Sequence, residues 1–474
     1  MRDYEYYSSI YTLFTVFIDF CQIFLYNNER IMNKKGCVSL KNTFKTMDYD
    51  VVISKNRPKR KNPVKPNMFW RTLIRILTWF SLAGSGVSYT TERMDCIDKK
   101  EPCLILMNHS CFLDMPMAYQ LLYPRPLNIV CSSDAFIGFG GLMGWLMYTI
   151  GCIPTQKFVT DVSLIKDMTY ALKEKKSSVL MYPEASYSFD GRATQLPRKM
   201  GVLLKKLDVP VIMIETKGAF NRNPLYNQLQ VRKGVKVSAH MRCLYTQEEV
   251  RQLSVQELSD GLDHAFGFDN WAWQKENGIE IHDSFRADGL SRILWRCPHC
   301  ETEGQMEGAG VHLTCNHCGK KYLLTPIGDL EAIDGETKFT TVPQWNDWQR
   351  NCVRDSILNG TYKLDVDVDI SMMVDYKAIY NVGSGHLTHD LMGFHLTGCD
   401  GRLDYSQKPQ SCYGLYADYY WYEVGDMICI GNNDVMYYCF PKGGDVVAKT
   451  RMAVEEMYKL YKSRQLKMPE SIEV

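Results

Sequence analysis

Two Cys-x2-Cys pairs, Arg296-Cys297-Pro-His-Cys300 and Cys315-Asn-His-Cys318-Gly319, are separated by 14 residues. Each pair sets two thiols on one turn, and two such turns can surround a single Zn2+ tetrahedrally; a glycine after the second suits the tight turn beneath the metal. With Cys297, Cys300, Cys315 and Cys318 filling all four positions, the expected site is closed and structural, folding a zinc ribbon over residues 291–330 without catalysing anything. His299 and His317 are read as turn residues, not ligands. Ribbons often bind nucleic acid, but here Arg292, Arg296, Lys320 and Lys321 are offset by Glu301, Glu303, Glu307 and Asp329. No phosphate-binding surface follows, and no nucleic-acid partner is expected.

The chain has 474 residues, 45% apolar, 23% charged and 12% aromatic. That is core enough for about three domains at roughly 150 residues each, and it excludes wholesale disorder. Lys+Arg 55 against Asp+Glu 54 leaves a net charge of +1, so no global field selects a polyanion. Seventeen cysteines, an odd count spread along a long chain, favour a reducing compartment over a disulfide framework.

Residues 10–26 form an apolar run broken by Asp19 and Gln22, neither a good membrane span nor a signal peptide. Met32 and Met47 both precede the first organised segment. Residues 1–67 are therefore expected to be poorly ordered, or partly upstream of the true start, and to end in a basic tether (Lys55, Arg57, Lys59, Arg60, Lys61, Lys65). A helix follows over Phe69–Phe80, with Trp70, Leu73, Ile74, Leu77 and Phe80 at helical spacing and Arg71 and Arg75 beside them. It suits either the headgroup region of an anionic leaflet or a core with a solvated basic face. Ala135–Ile153 is 19 residues without a charge but carries five glycines. It is read as buried or membrane-dipping, because the motifs below lie on both sides of it.

Cys103–Met107 reads as a buried strand, and Asn108-His109-Ser110-Cys111-Phe112-Leu113-Asp114 follows at once. A strand end is a place where a histidine is exposed while a carboxylate folds back onto its ring. Further β segments lead to Gly151-Cys-Ile-Pro-Thr-Gln-Lys157 and to Pro183-Glu184-Ala185-Ser186-Tyr187, and Val209–Ile214 supplies another buried strand. Residues 161–177 and 196–207 have helical periodicity between them. The alternation predicts an α/β domain over residues 68–290, a mixed sheet flanked by helices, with its loops gathered at one sheet edge.

In this order the motifs resemble the glycerolipid acyltransferase family, which contains the 1-acylglycerol-3-phosphate and lysophospholipid acyltransferases. The resemblance covers about residues 68–265. His109 and Asp114 match its His-x4-Asp block. Gly151, Ile153 and Lys157 match the second block, with Lys where Arg is usual, and Val209-Pro210-Val211 matches the last. Pro183-Glu184 opens the Phe-Pro-Glu-Gly-Thr-Arg block, but Ala185, Ser186 and Tyr187 stand where Gly, Thr and Arg are usual. In the family that Gly and Arg are associated with the acceptor's glycerophosphate, so Arg192 and Arg198 are candidates to supply the missing charge. The resemblance implies transfer of a fatty acyl group from acyl-CoA or acyl carrier protein to a lysophospholipid hydroxyl, at the cytoplasmic face of a membrane.

The chemistry these residues permit is simple. A neutral imidazole is a well-matched general base for an attacking hydroxyl, and Asp114 would hold the other ring N–H of His109. Lys157 or backbone N–H groups would face the oxyanion. Glu184 would bind an acceptor hydroxyl or anchor its loop; Ser186 belongs to the same substrate-binding set. Cys111 is the rival nucleophile. The competing reading keeps the fold but not the activity, leaving a zinc-stabilised lipid-binding or scaffold protein.

Residues 335–474 form the last module. A helix is expected over 342–358, and strict alternation over Tyr362–Ile370 predicts a half-buried strand. Further β runs near 376–382, 389–397, 412–422, 426–430 and 435–440 precede a helix over 446–466. A β-sandwich or partial barrel capped by that helix resembles a pleckstrin-homology-like domain on topology alone. Asp365, Asp367 and Asp369 are read as a solvated face, and His386, His389 and His395 as incidental.

Overall fold

The computed structural model describes residues 44–138, 141–159, 161–197, 199–228, 230–422 and 424–466. The 10–26 run, Met32 and Arg198 lie outside the described residues. The first large layer is a seven-stranded sheet of β2 (Ser88–Glu92), β3 (Leu104–Met107), β4 (Leu127–Ser132), β5 (Cys152–Thr155), β6 (Ser178–Met181), β7 (Val211–Lys217) and β8 (Ser238–Tyr245), in the order β2-β8-β7-β3-β6-β4-β5. Only the β7–β8 pair is antiparallel, so this is a mixed sheet. Its central strands read as continuous apolar runs because both faces are covered. Ile105, Met107, Leu180, Ile212 and Ile214 enter one core, while Leu104, Leu106, Val179, Val211 and Met213 enter the other. The period-2 alternation of strand side chains divides them.

Strands β3, β6, β4 and β5 run parallel side by side. Their carboxyl ends therefore open along one edge, where ligands of α/β sheets collect. Gly151, just before β5, has φ +94, and a Cβ there would meet the Leu127 carbonyl oxygen at 3.0 Å. Both the backbone and the space call for glycine. The uncharged 135–153 stretch divides into a short helical turn ending at Phe136, the helix Leu142–Thr149 and β5. Among the described residues no helix is long and apolar enough to cross a membrane.

The cysteine segment carries a four-stranded antiparallel sheet of β9 (Met306–Ala309), β10 (His312–Cys315), β11 (Lys321–Leu324) and β12 (Leu330–Ala332). The helix Val342–Leu358 is tied to it: Arg296 N–H donates to Gln349 Oε1 at 2.9 Å, and Trp345 Nε1 to the Arg296 carbonyl at 2.9 Å.

The C-terminal region is β-rich. It contains β13 (Leu364–Met373), β14 (Ile379–Asp390), β15 (Gly393–Gly398), β16 (Leu403–Gln407), β17 (Tyr416–Trp421), β18 (Gly425–Gly431) and β19 (Met436–Pro441), closed by the helix Val447–Lys462. The strand order is β16-β15-β14-β13-β19-β18-β17. The alternation on β13 leaves Asp365, Asp367 and Asp369 at the surface, where they pair with His386 and Lys442. His389 is not incidental to this core: it is buried, bonded to Tyr362 Oη at 3.0 Å and stacked on Phe394.

The expectation for residues 1–67 is corrected over 44–67. Strand β1 (Phe44–Thr46) adds in parallel to β14, and the helix Tyr49–Ile53 buries Val52 in the C-terminal core. The basic stretch is docked as a strap. Arg57 donates to the Asn433 carbonyl, while Arg60 pairs with Asp161 at 2.8 Å and Asp167 at 2.5 Å. Partnered carboxylates and cation–π contacts immobilise charges that composition alone would assign to solvent.

The helix expected over Phe69–Phe80 forms over Met68–Ser81, and of its expected apolar face Phe80 is the residue that departs. It buries Ile74, Thr78 and Ser81, with Trp70 and Leu77 packed against the core, and leaves Phe69, Ile76, Trp79 and Phe80 exposed. Arg71 donates to the Pro124 carbonyl at 2.6 Å and Arg75 lies 4.2 Å from the Tyr123 ring centroid. These two arginines are engaged with the chain itself.

Candidate active site

The parallel strand ends build the site. At the end of β3, the Asn108 side chain accepts from Thr216 N–H at 2.7 Å and donates to the Thr216 carbonyl at 3.0 Å, which fixes the loop to β7. His109 Nδ1 then lies 3.0 Å from Asp114 Oδ2. The same oxygen accepts from the backbone N–H of Ser110 at 2.6 Å and of Cys111 at 3.0 Å, and Thr216 Oγ1 donates to Oδ1 at 3.3 Å. Asp114 opens the helix Asp114–Leu122, whose dipole and free N–H groups favour a carboxylate there. The carboxylate is wholly buried while the His109 side chain keeps 20% exposure. With Nδ1 bound to Asp114, Nε2 points to the opposite side of the ring.

The His109 ring is sandwiched between Tyr182, with centroids 3.9 Å apart, and Tyr187, at 4.0 Å. Burial lowers its pKa, the hydrogen bond and charge of Asp114 raise it, and the nearby Lys157 lowers it further; the net direction is down. The imidazole is thus held neutral at neutral pH, the state a general base requires. Cys111 does not suit the rival role. It is 1% exposed, and burial next to Asp114 pushes its thiol well above the usual range.

The other candidates fall in different places. Glu184 is fully buried and spends both oxygens on backbone, accepting from His109 N–H at 2.9 Å and Thr194 N–H at 2.8 Å. Burial raises its pKa to about 7 against those two donors. Ser188 N–H donates to the His109 carbonyl at 2.7 Å, so the first and third motifs are stitched together. Ala185 sits at φ 57, the left-handed region, where the family resemblance puts glycine. Ser186 is buried. Arg192 does not reach this centre as a free cation: it pairs with Asp190 at 2.8 Å and Asp347 at 2.7 Å.

Lys157 is covered by the C-terminal region. Its ammonium lies 4.3 Å from the ring centroid of Tyr416 on β17, whose hydroxyl donates to Asp134 at 2.6 Å. Asp418, two residues on and on the same strand face, is raised to about 6 by burial, opposed mainly by Lys157. Tyr187 and Phe189 pack into the C-terminal core. None of Tyr182, Asp134, Tyr416, Asp418 and Thr216 was found from sequence, since no spacing signal joins residues so far apart in the chain.

The Cys297, Cys300, Cys315 and Cys318 sulfurs all lie within 4.8 Å of one another, with Cys297–Cys318 at 3.8 Å and Cys300–Cys315 at 3.7 Å. Four thiolates about 2.3 Å from a tetrahedral ion have edges of about 3.8 Å, so the cluster could hold a metal ion. His317 instead contacts Thr302.

The His–Asp pair at the parallel edge of the mixed α/β sheet lies in the stretch that the sequence comparisons match. The acyltransferase family model matches residues 88–215. A chloroplastic 1-acyl-sn-glycerol-3-phosphate acyltransferase, BAT2 of Brassica napus, is 28% identical over 120 residues, 25% of this chain and 33% of that protein. The chain thus matches about a third of that relative's length. The structure of PlsC, the 1-acyl-sn-glycerophosphate acyltransferase of Thermotoga maritima, aligns at 14% identity over 41% of this chain and 76% of its own, with TM-score 0.33. Residues 88–215 are thus similar to the acyltransferase family, and over part of that stretch to a 1-acyl-sn-glycerol-3-phosphate acyltransferase.

Proposed function

We propose that the chain is an O-acyltransferase that moves a fatty acyl group from an acyl thioester, acyl-CoA or acyl carrier protein, to the hydroxyl of a lysophospholipid or related glycerolipid. The observation that carries this reading is the 3.0 Å contact between His109 Nδ1 and the buried Asp114 carboxylate. The acceptor hydroxyl gives its proton to Nε2 as its oxygen attacks the thioester carbonyl. The tetrahedral oxyanion is held by Lys157 or backbone N–H groups. On collapse the C–S bond breaks, the imidazolium returns the proton to the departing thiolate, and ester and free thiol leave.

Zn2+ is the proposed occupant of the four-cysteine cluster, in a structural role. The cytoplasmic face of a membrane is the proposed location, with peripheral or monotopic attachment. Phe69, Ile76, Trp79 and Phe80 on one helix and Trp145 on the helix Leu142–Thr149 support it, since each is about half exposed or more. The strand order of the C-terminal region and its single closing helix support the pleckstrin-homology-like reading.

Tyr187 favours a second reading, a catalytically lapsed lipid-binding scaffold, because its ring covers His109 where the family has a cation. Purified protein, labelled acyl thioester and a lysolipid panel separate the two. Turnover abolished in His109→Ala with unchanged zinc content supports transfer. Turnover surviving that substitution refutes the mechanism, and none in the parent protein favours the scaffold.

A further inference from the structure

Strand β17 carries a carboxylate from the C-terminal region to the edge of the His109 centre. Tyr416 and Asp418 lie two residues apart on it and share a face, while Ala417 and Tyr419 enter the core on the other side. Tyr416 lays its ring 4.3 Å from the Lys157 ammonium and donates its hydroxyl to Asp134 at 2.6 Å. Trp421 Nε1 donates to that same hydroxyl at 2.9 Å, which fixes the ring in place. Asp418 is half-buried, accepts from the Tyr419 N–H at 2.9 Å and interacts with the charges of Lys157, Asp134 and Arg451. Its charge also reaches Tyr187, the residue stacked on His109.

Among the described residues, Lys157 is the cation whose charge acts on the His109 ring. Two carboxylates, Asp134 and Asp418, stand against it. Arg451 is held by Glu455 at 3.1 Å, and Arg192 by Asp190 and Asp347 at 2.8 and 2.7 Å. A phosphate monoester is close to a dianion at neutral pH, and beside His109 it would give up its water where carboxylates already outnumber the cation. A headgroup without net charge meets no such penalty, and the rings of Tyr182, Tyr187 and Phe112 offer it apolar surface. We propose that Asp418 is a specificity-determining residue, selecting a lysolipid acceptor whose headgroup carries no net charge and rejecting one that ends in a phosphate monoester. A charge placed where the wrong ligand would have to leave it unpaired is a general means of discrimination. The proposal deepens the acyl-transfer reading and rests on it for the reaction, while the ranking of headgroups is read by binding as well.

Steady-state kinetics on the full-length protein tests it, with one acyl-CoA and three acceptors of equal chain length: monoacylglycerol, lysophosphatidylethanolamine and lysophosphatidate. Equilibrium binding of the same three lipids without donor, followed by tryptophan fluorescence, runs beside it. Either net-neutral acceptor is expected to exceed lysophosphatidate in kcat/KM by about tenfold or more, and to bind more tightly in the same order. Asp418→Asn should narrow that ratio about tenfold by lowering KM for lysophosphatidate, whereas a merely structural role would change all three acceptors alike and leave the ratio where it was. The parent's ranking decides the matter even where Asp418→Asn fails to fold. The expected ranking in binding with no turnover of any acceptor overturns the acyl-transfer reading and supports the selectivity. Lysophosphatidate bound or turned over as well as the net-neutral lipids, a ratio unmoved in folded Asp418→Asn, or binding of none of the three overturns the selectivity.

Discussion

Tyr187 lays its ring over the His109 imidazole with centroids 4.0 Å apart, while Phe112 packs edge-on against the tyrosine at 5.3 Å. With Tyr182 on the opposite face, the ring is held by stacking as well as by Asp114. An aromatic clamp limits rotation of the imidazole and removes water from its faces, which strengthens its bond to the carboxylate and favours the neutral form.

Replacing Asp114 with Asn keeps the side chain's size but lets an amide N–H face Nδ1, favouring the wrong tautomer. The turnover number should fall by about 10²–10⁴-fold with little change in the Michaelis constant. Steady-state kinetics on the two proteins measures this, and a change confined to substrate affinity would count against the assigned role.

The pH dependence has a definite sign. Because burial depresses the His109 pKa, the active neutral imidazole persists below the ordinary value near 6.5, so the acid limb of kcat/KM should lie below that value. The same shift stabilises the fold fully above pH about 6.5 and is lost as pH falls through the folded pKa. A rate profile whose acid limb lies clearly above 6.5 contradicts it.

Glu184→Gln turns an amide toward one of two backbone N–H groups that the carboxylate accepts from. Leaving one buried donor unpaired should cost about 1–3 kcal/mol in urea unfolding. Unchanged stability would show that the stitch between the loops is not load-carrying.

Ala185 occupies φ 57. Ala185→Gly relieves the left-handed strain while losing some chain entropy, so a net gain of about 1 kcal/mol or less is expected from the unfolding midpoint.

Removal of the proposed metal should unfold the ribbon and loosen the helix Val342–Leu358 that hydrogen-bonds to Arg296. Chelator or Cys315→Ser should lower Tm, and elemental analysis should find one zinc ion per chain before treatment and none after.

Much of the framework was legible in the residues. Leu104–Met107 and Val211–Ile214 announce two-sided burial through unbroken apolar character, and the cysteine spacing puts four sulfurs within 4.8 Å of one another. The His–Asp spacing was equally local, since five residues span the turn from strand to helix. On the helix Met68–Ser81, Trp70, Ile74 and Leu77 turn to the core as their spacing predicts but Phe80 does not, because the outer side carries aromatics as large as the inner side and periodicity alone does not separate them. Arg60 read as part of a solvated tether because nothing in its neighbourhood names Asp161 or Asp167, about a hundred residues away.

Short-range pattern thus accounts for the strands, the thiol cluster and the contact of His109 with Asp114, for in each the partners are joined by a few bonds and by the geometry of one turn. Tyr187 over His109, β17 over Lys157 and Arg451 beside the 189–195 loop arise only when separate layers pack. Those contacts depend on shape and burial across hundreds of residues, and no local period encodes them.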